Sequence, residues 1–107
     1  MSSDSSLQYF LKKEVDILQG IHYTKLAHRR QLNATIKEAQ EACSQWDEWV
    51  YEAESNNRSK HLIEYLEIQR QEAYSHLAAN EASIPKHDEI VKKSQQKLRE
   101  FKKFLES

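Results

Sequence analysis

Apolar residues recur at steps of three and four along almost the whole chain. This spacing is typical of a heptad repeat, in which one stripe of a long helix packs against another helix. The pattern predicts a first helix that begins near Leu7, with Ser5 or Ser6 as its N-terminal cap and a disordered tail over residues 1–6. The first stripe reads Leu11, Val15, Leu18, then polar His22, Lys25 and Arg29, then Leu32, Ile36, Ala39, Cys43, Trp46, Val50 and Ala53.

One strong turn signal, Ser55-Asn56-Asn57, falls near the middle of the chain. Asn tolerates the left-handed conformation that ends many helices, and Ser59 is suited to cap a second helix. A second stripe follows the turn. It reads Leu62, Leu66, Gln69, Ala73, Leu77, Asn80, Ile84, His87, Val91, Ser94, Leu98, Phe101 and Leu105.

Together the two stripes predict an all-α fold, a long antiparallel coiled-coil hairpin. It forms a single domain over residues 7–107 with its turn near 55–58. Pairing the stripes about the turn places residues opposite each other when their numbers sum to about 114. In that register His22 approaches His87 across the hairpin.

Pro85 leaves two alternatives for the second half of the chain. Proline removes a helical hydrogen-bond donor and clashes with the preceding turn. The second helix therefore either kinks here or breaks. We favour the kink, because the stripe continues across Pro85 in phase. The alternative is a three-helix bundle with helices near 7–55, 58–81 and 84–106.

Composition narrows the possible functions. The net charge of −1 excludes the bulk basic charge of nucleic-acid-binding domains, and a lone Cys43 allows no internal disulfide, which fits the reducing cytoplasm. The sequence has no Gly-rich phosphate loop, no nucleophile–base pair and no zinc-ligand spacing. We therefore expect no enzymatic activity, cofactor, metal ion or small-molecule substrate.

Two groups of residues are candidate sites. Basic residues gather where the two ends of the hairpin meet, which suits contact with an anionic membrane or an acidic partner. Aromatic residues gather near the turn, and exposed Trp and Tyr often anchor protein interfaces. The basic group is Lys12, Lys13, Lys92, Lys93, Lys97, Arg99, Lys102 and Lys103, and the aromatic group is Trp46, Trp49 and Tyr51.

Three segments within residues 26–105 carry a resemblance to a known family. They are Glu38-Ala39-Gln40-Glu41-Ala42 with Trp46 and Glu48, then Arg58 with Leu62 and Leu66, then Lys92 to Leu105. These segments resemble the coiled-coil hairpin of the phage-shock protein A family, which includes the vesicle-inducing protein of plastids. This family remodels membranes and assembles into rods and rings, so the resemblance implies association near a membrane. The family's N-terminal membrane helix and later helices have no counterpart, so the resemblance covers the hairpin alone.

The sequence therefore favours a non-enzymatic structural or regulatory coiled-coil protein. We expect it to associate with a partner coiled coil or with its own copies, as an oligomer in the cytoplasm with peripheral contact to anionic membrane. The alternative is a soluble adaptor for protein–protein interactions, unrelated to membrane remodelling.

Overall fold

A computed structural model of the chain describes the backbone of residues 2–107 and the side chains of residues 5–107. Three helices follow one another: α1 (Ser2–Ser55), α2 (Lys60–Ala82) and α3 (Ile84–Glu106). The described residues contain no strand. The fold is an all-α helical hairpin, as the stripes predicted.

The first helix begins earlier than predicted. Helix α1 starts at Ser2, so Ser5 and Ser6 lie inside it and neither caps it near Leu7. The expected disordered tail is therefore helical from Ser2, while Met1 lies outside the described residues. The physical reason is that residues 2–6 contain neither Gly nor Pro, and Ser and Asp cost a helix only about 0.5 kcal/mol each.

The hairpin turn consists of four residues, Asn56 to Ser59. Asn57 has a φ of 51°, the left-handed conformation expected of it. The amide of Arg58 donates to the carbonyl of Ala53 (3.0 Å) and the amide of Asn57 to that of Glu54 (3.2 Å), which is the Schellman pattern. The Ser59 hydroxyl accepts from the amide of Leu62 at 3.2 Å and caps α2 as predicted.

The return helix is interrupted at a single residue, Ser83. Its φ and ψ of −83° and −10° remain right-handed helical, and its hydroxyl donates to the carbonyl of Asn80 at 2.7 Å. Pro85 follows in the first turn of α3, where a missing amide hydrogen costs little. The break that the alternative proposed is therefore present, but the helices pair as in a hairpin and do not form a three-helix bundle.

The chain divides into two compact units. Unit 1 comprises Met1–Arg30 and Pro85–Ser107, and unit 2 comprises Gln31–Ile84. In unit 1, Val15 and Leu18 of α1 pack with Leu98 of α3, and Phe101 and Leu105 complete this cluster. In unit 2 the buried side chains all come from α1 and none from α2. They are Leu32, Ile36, Ala39, Cys43, Val50 and Ala53.

The register differs slightly from the predicted one. In unit 1, Arg29 pairs with Asp88 and His22 with Ser94, so the numbers sum to 117 and 116. His22 therefore contacts Ser94 and not His87, which corrects the expected pair of histidines. The turn comprises residues 56–59 instead of the predicted 55–58, which moves its centre by about one residue toward α2 and so raises the sum by about two.

Candidate functional site

The eight predicted basic residues all belong to unit 1 and are all exposed. Two of them have partners: the Lys13 ammonium lies 5.9 Å from the centre of the Tyr9 ring, and Lys93 lies 4.0 Å from Glu89. Lys12 lines a shallow depression with Ser5, Gln8 and Tyr9. The structure thus places the basic group in one unit but spreads it over several faces of α1 and α3.

The two units carry opposite charge. Unit 1 has twelve Lys and Arg against seven Asp and Glu, a net charge of +5. Unit 2 has four against ten, a net charge of −6. A chain that is nearly neutral as a whole therefore consists of a basic unit and an acidic unit.

Arg99 and Lys102 share a groove of about 230 Å³ between α1 and α3 within unit 1. The groove contains no carboxylate, and within residues 5–107 no ion pair involves Arg99 or Lys102. The sequence pattern gave no sign of this groove, because the groove depends on which side chains the register brings together. Its lining residues are Gln19, His22, Tyr23, Gln95, Leu98, Arg99 and Lys102.

The three predicted docking aromatics separate into two places. The rings of Trp46 and Trp49 meet edge to face, with centroids 4.9 Å apart. Trp46 is half-buried, whereas Trp49 is 43% exposed and lines a second groove with Leu62 and Leu66. Tyr51 is exposed and, two residues from Trp49, projects from the opposite side of α1, because two residues rotate about 200°. Only the two tryptophans can therefore act as one patch.

Unit 1 also exposes an apolar stripe that the sequence analysis missed. Leu7, Phe10, Ile17 and Ile21 of α1 are 43–55% exposed. Their spacing of three, seven and four residues places them on one face of the helix, beside the stripe that packs on α3. The signal was readable in the sequence as a second heptad series, which Glu14 interrupts between Phe10 and Ile17. The series ends where polar Thr24 and His28 take its next positions.

A polar cluster links α1 and α2 in unit 2. The Tyr74 hydroxyl donates to Asp47 Oδ2 at 2.5 Å, and Arg70 approaches Asp47 Oδ1 at 3.9 Å. The hydrogen bond to Asp47 raises the pKa of the Tyr74 hydroxyl above its ordinary value of 10.0. Burial raises the pKa of the Cys43 thiol, and the charges of Asp47 and Glu81 raise it further. A buried thiol of raised pKa is a poor nucleophile, so this cluster is structural.

Comparisons with protein-family models, curated proteins and solved structures found no match. The resemblance to the phage-shock protein A family therefore stays a prediction. In the part of the chain that the structure describes, no helix is both long and apolar enough to cross a membrane. The same part holds no group of three or more His, Cys, Asp or Glu side chains arranged to bind a metal ion.

Proposed function

We propose that this protein is a non-enzymatic helical-hairpin module that acts by helix–helix association. The observation that carries the proposal is the exposed stripe of Leu7, Phe10, Ile17 and Ile21 in unit 1. A helix with two apolar stripes has two surfaces to cover, and α3 covers only one of them. The stripe suits a helix of a partner coiled coil or of a second copy of this chain. Association of this kind also agrees with the structural role that the phage-shock resemblance implies.

The proposal is tested by replacing two isoleucines of the stripe with charged residues. In the variant Ile17→Lys/Ile21→Lys, two half-exposed isoleucines no longer contribute apolar area to an interface. Sedimentation equilibrium should show that the wild type self-associates. The association constant of the variant should be lower by a factor of about ten or more. Ile68→Lys is the matched control, because Ile68 is similarly exposed but lies on α2 in unit 2.

Two results would contradict self-association through the stripe. One is a wild-type protein that stays monomeric at every concentration tested. The other is an Ile68→Lys variant that loses association as fully as the double variant. In the first case the partner is a different coiled coil, as in the soluble-adaptor alternative.

A second candidate function, peripheral contact with an anionic membrane, rests on a different observation. Tyr9 and Phe10 are exposed beside Lys12 and Lys13, and Phe104 is exposed between Lys103 and the end of α3. Aromatic side chains next to lysines suit a membrane interface, with about 1 kcal/mol from each lysine near the surface. Co-sedimentation with phosphatidylserine vesicles at low salt tests this function. Binding that fails for the wild type, or that survives Lys12→Gln/Lys13→Gln/Phe10→Ser unchanged, would contradict it.

A further inference from the structure

The groove of about 230 Å³ in unit 1 lies away from the exposed apolar stripe. Its α1 wall includes Gln19 and Tyr23, whereas the stripe includes Ile17 and Ile21. Residues two positions apart project about 200° apart around a helix, so the groove and the stripe occupy opposite faces of α1. The groove is therefore a surface that helix–helix association through the stripe leaves open.

Half-buried His22 forms part of the groove wall. Its Nδ1 lies 2.7 Å from the hydroxyl oxygen of Ser94, and that oxygen lies 2.8 Å from the carbonyl oxygen of Val91. The contact with Ser94 on α3 holds the imidazole ring at the groove.

The Tyr23 hydroxyl is a hydrogen-bond donor of the groove. Gln19 Nε2 donates to the Tyr23 hydroxyl oxygen at 3.1 Å, which leaves the hydroxyl proton of Tyr23 available to an acceptor. Tyr23, Arg99 and Lys102 thus bring only donors to the groove, and Gln95 adds a side-chain amide.

From this set of donors we propose that the groove binds a phosphate-bearing anion. Arg99 and Lys102 supply positive charge, and planar guanidinium groups match the geometry of phosphate oxygens. Tyr23 donates from its hydroxyl. The ligand is a phosphate monoester or inorganic phosphate, and two sources fit this chemistry: a free small anion or the headgroup of a phosphatidate lipid.

The test is an NMR titration of the full chain with inorganic phosphate, with sodium chloride of equal ionic strength as the reference. We expect phosphate to shift the His22 imidazole and the amides around Arg99 in a saturable way that chloride does not reproduce. Phosphate that causes no more change than chloride would overturn the proposal.

Substitutions at the groove distinguish a site from diffuse positive charge. Arg99→Gln and Lys102→Gln should each weaken phosphate binding about three-fold, the scale of a single exposed ion pair. Both side chains are exposed, so helicity should not change. Lys97→Gln is the matched control, because Lys97 is an exposed lysine of α3 that does not line the groove. If Lys97→Gln weakens binding as much as Lys102→Gln, the site does not exist.

Vesicles identify the source of the anion. If the groove takes the headgroup, vesicles of phosphatidic acid in phosphatidylcholine should bind the wild type, and Arg99→Gln should weaken that binding as it weakens phosphate binding. If it takes a free anion, vesicle binding should not respond to Arg99→Gln. Because the vesicle arm and the sedimentation test of the stripe use different variants, the groove and helix–helix association fail independently.

Discussion

Unit 1 and unit 2 each pack two helices together, but the residues that they bury between those helices differ. In unit 1 both helices bury large aliphatic residues. The polar contact between His22 and Ser94 lies next to this cluster, at the next position of each stripe. In unit 2 the buried residues come from α1 alone: Leu32, Ile36 and Val50, together with the smaller Ala39, Cys43 and Ala53. Small residues let helices approach closely but remove less apolar area from water. The core of unit 1 therefore draws on both helices, and the core of unit 2 on large and small residues of one helix.

The difference in charge has a separate meaning. A net charge of +5 in unit 1 and −6 in unit 2 makes each unit attractive to the opposite unit of another copy. The like charges within each unit also repel one another, which lowers the stability of that unit, and salt weakens this repulsion. The groove and the exposed stripe both belong to unit 1, so the interactions proposed for this protein are concentrated in its basic half.

The largest effect should come from truncating the core of unit 1. Leu98→Ala removes the one buried side chain that α3 contributes and leaves a cavity against Val15 and Leu18. We expect a loss of about 3 kcal/mol in the free energy of unfolding, measured by chemical denaturation. The counterpart in unit 2 is Leu32→Ala, at a residue that is also 7% exposed, with an expected loss of about 2 kcal/mol because α2 contributes no buried side chain to that unit.

If the comparison of the units is right, Leu98→Ala costs more than Leu32→Ala, although both variants lose the same atoms. Phe104→Ala is the control for unit 1, because Phe104 is exposed and should change stability by under about 0.5 kcal/mol. Equal costs at Leu98 and Leu32 would mean that the cores do not differ in the way described.

A smaller effect is expected at the hairpin turn, which belongs to unit 2. Asn57 has a φ of 51°, in the left-handed region. There, most residues other than Gly and Asn lower the free energy of unfolding by about 1 kcal/mol. Asn57→Ala should therefore lower stability by about 1 kcal/mol, whereas Asn57→Gly should leave it equal or slightly raised. Asn56→Ala is the neighbouring control, with helical backbone geometry. If thermal melts gave a higher melting temperature for Asn57→Ala than for Asn57→Gly, the turn would differ from the Schellman geometry.

The smallest effect separates the polar contacts of the two units by pH. In unit 1, Arg29 Nε contacts Asp88 Oδ1 at 2.6 Å, and this charge pair persists at alkaline pH. In unit 2 the Tyr74–Asp47 hydrogen bond needs a protonated phenol, and it raises the pKa of Tyr74. Because the folded-state pKa lies above the unfolded one, the stabilisation is complete below pH 10.0 and is lost as pH rises through the folded value.

Tyr74→Phe removes this contact and is the test. Thermal melts between pH 8 and pH 11 should fall less steeply with pH for Tyr74→Phe than for the wild type. The exposed Tyr65, replaced by Phe, is the control that should leave the slope unchanged. Wild type and Tyr74→Phe with parallel profiles would show that the hydrogen bond does not contribute.

The sequence pattern predicted the buried face well and the exact pairing less well. Every buried residue of the described chain, from Val15 to Leu98, lies on a predicted stripe, because burial follows helical periodicity directly. The register was off by two or three because it depends on where the turn is centred, and the turn comprises residues 56–59 instead of the predicted 55–58. Periodicity does not define the exact residues of a turn.

The candidate sites were predicted unevenly for a related reason. Composition located the basic residues, but the groove with His22 and Lys102 exists only through the contact between α1 and α3. Of the predicted aromatic residues, Trp46 lies on the stripe and is half-buried, whereas Trp49 lies one position off the stripe and is exposed. The series Leu7, Phe10, Ile17 and Ile21 was present in the sequence, and reading it required a search for a second stripe beside the first.

The contact between Trp46 and Trp49 has a practical consequence for observing this protein. These are the two tryptophans of the chain, and both belong to unit 2, while unit 1 contains only Tyr and Phe among its larger aromatic residues. Tryptophan emission therefore reports the surroundings of unit 2, whereas far-ultraviolet circular dichroism reports the helices of both units. Melting curves recorded by the two signals coincide only if the units lose their structure together.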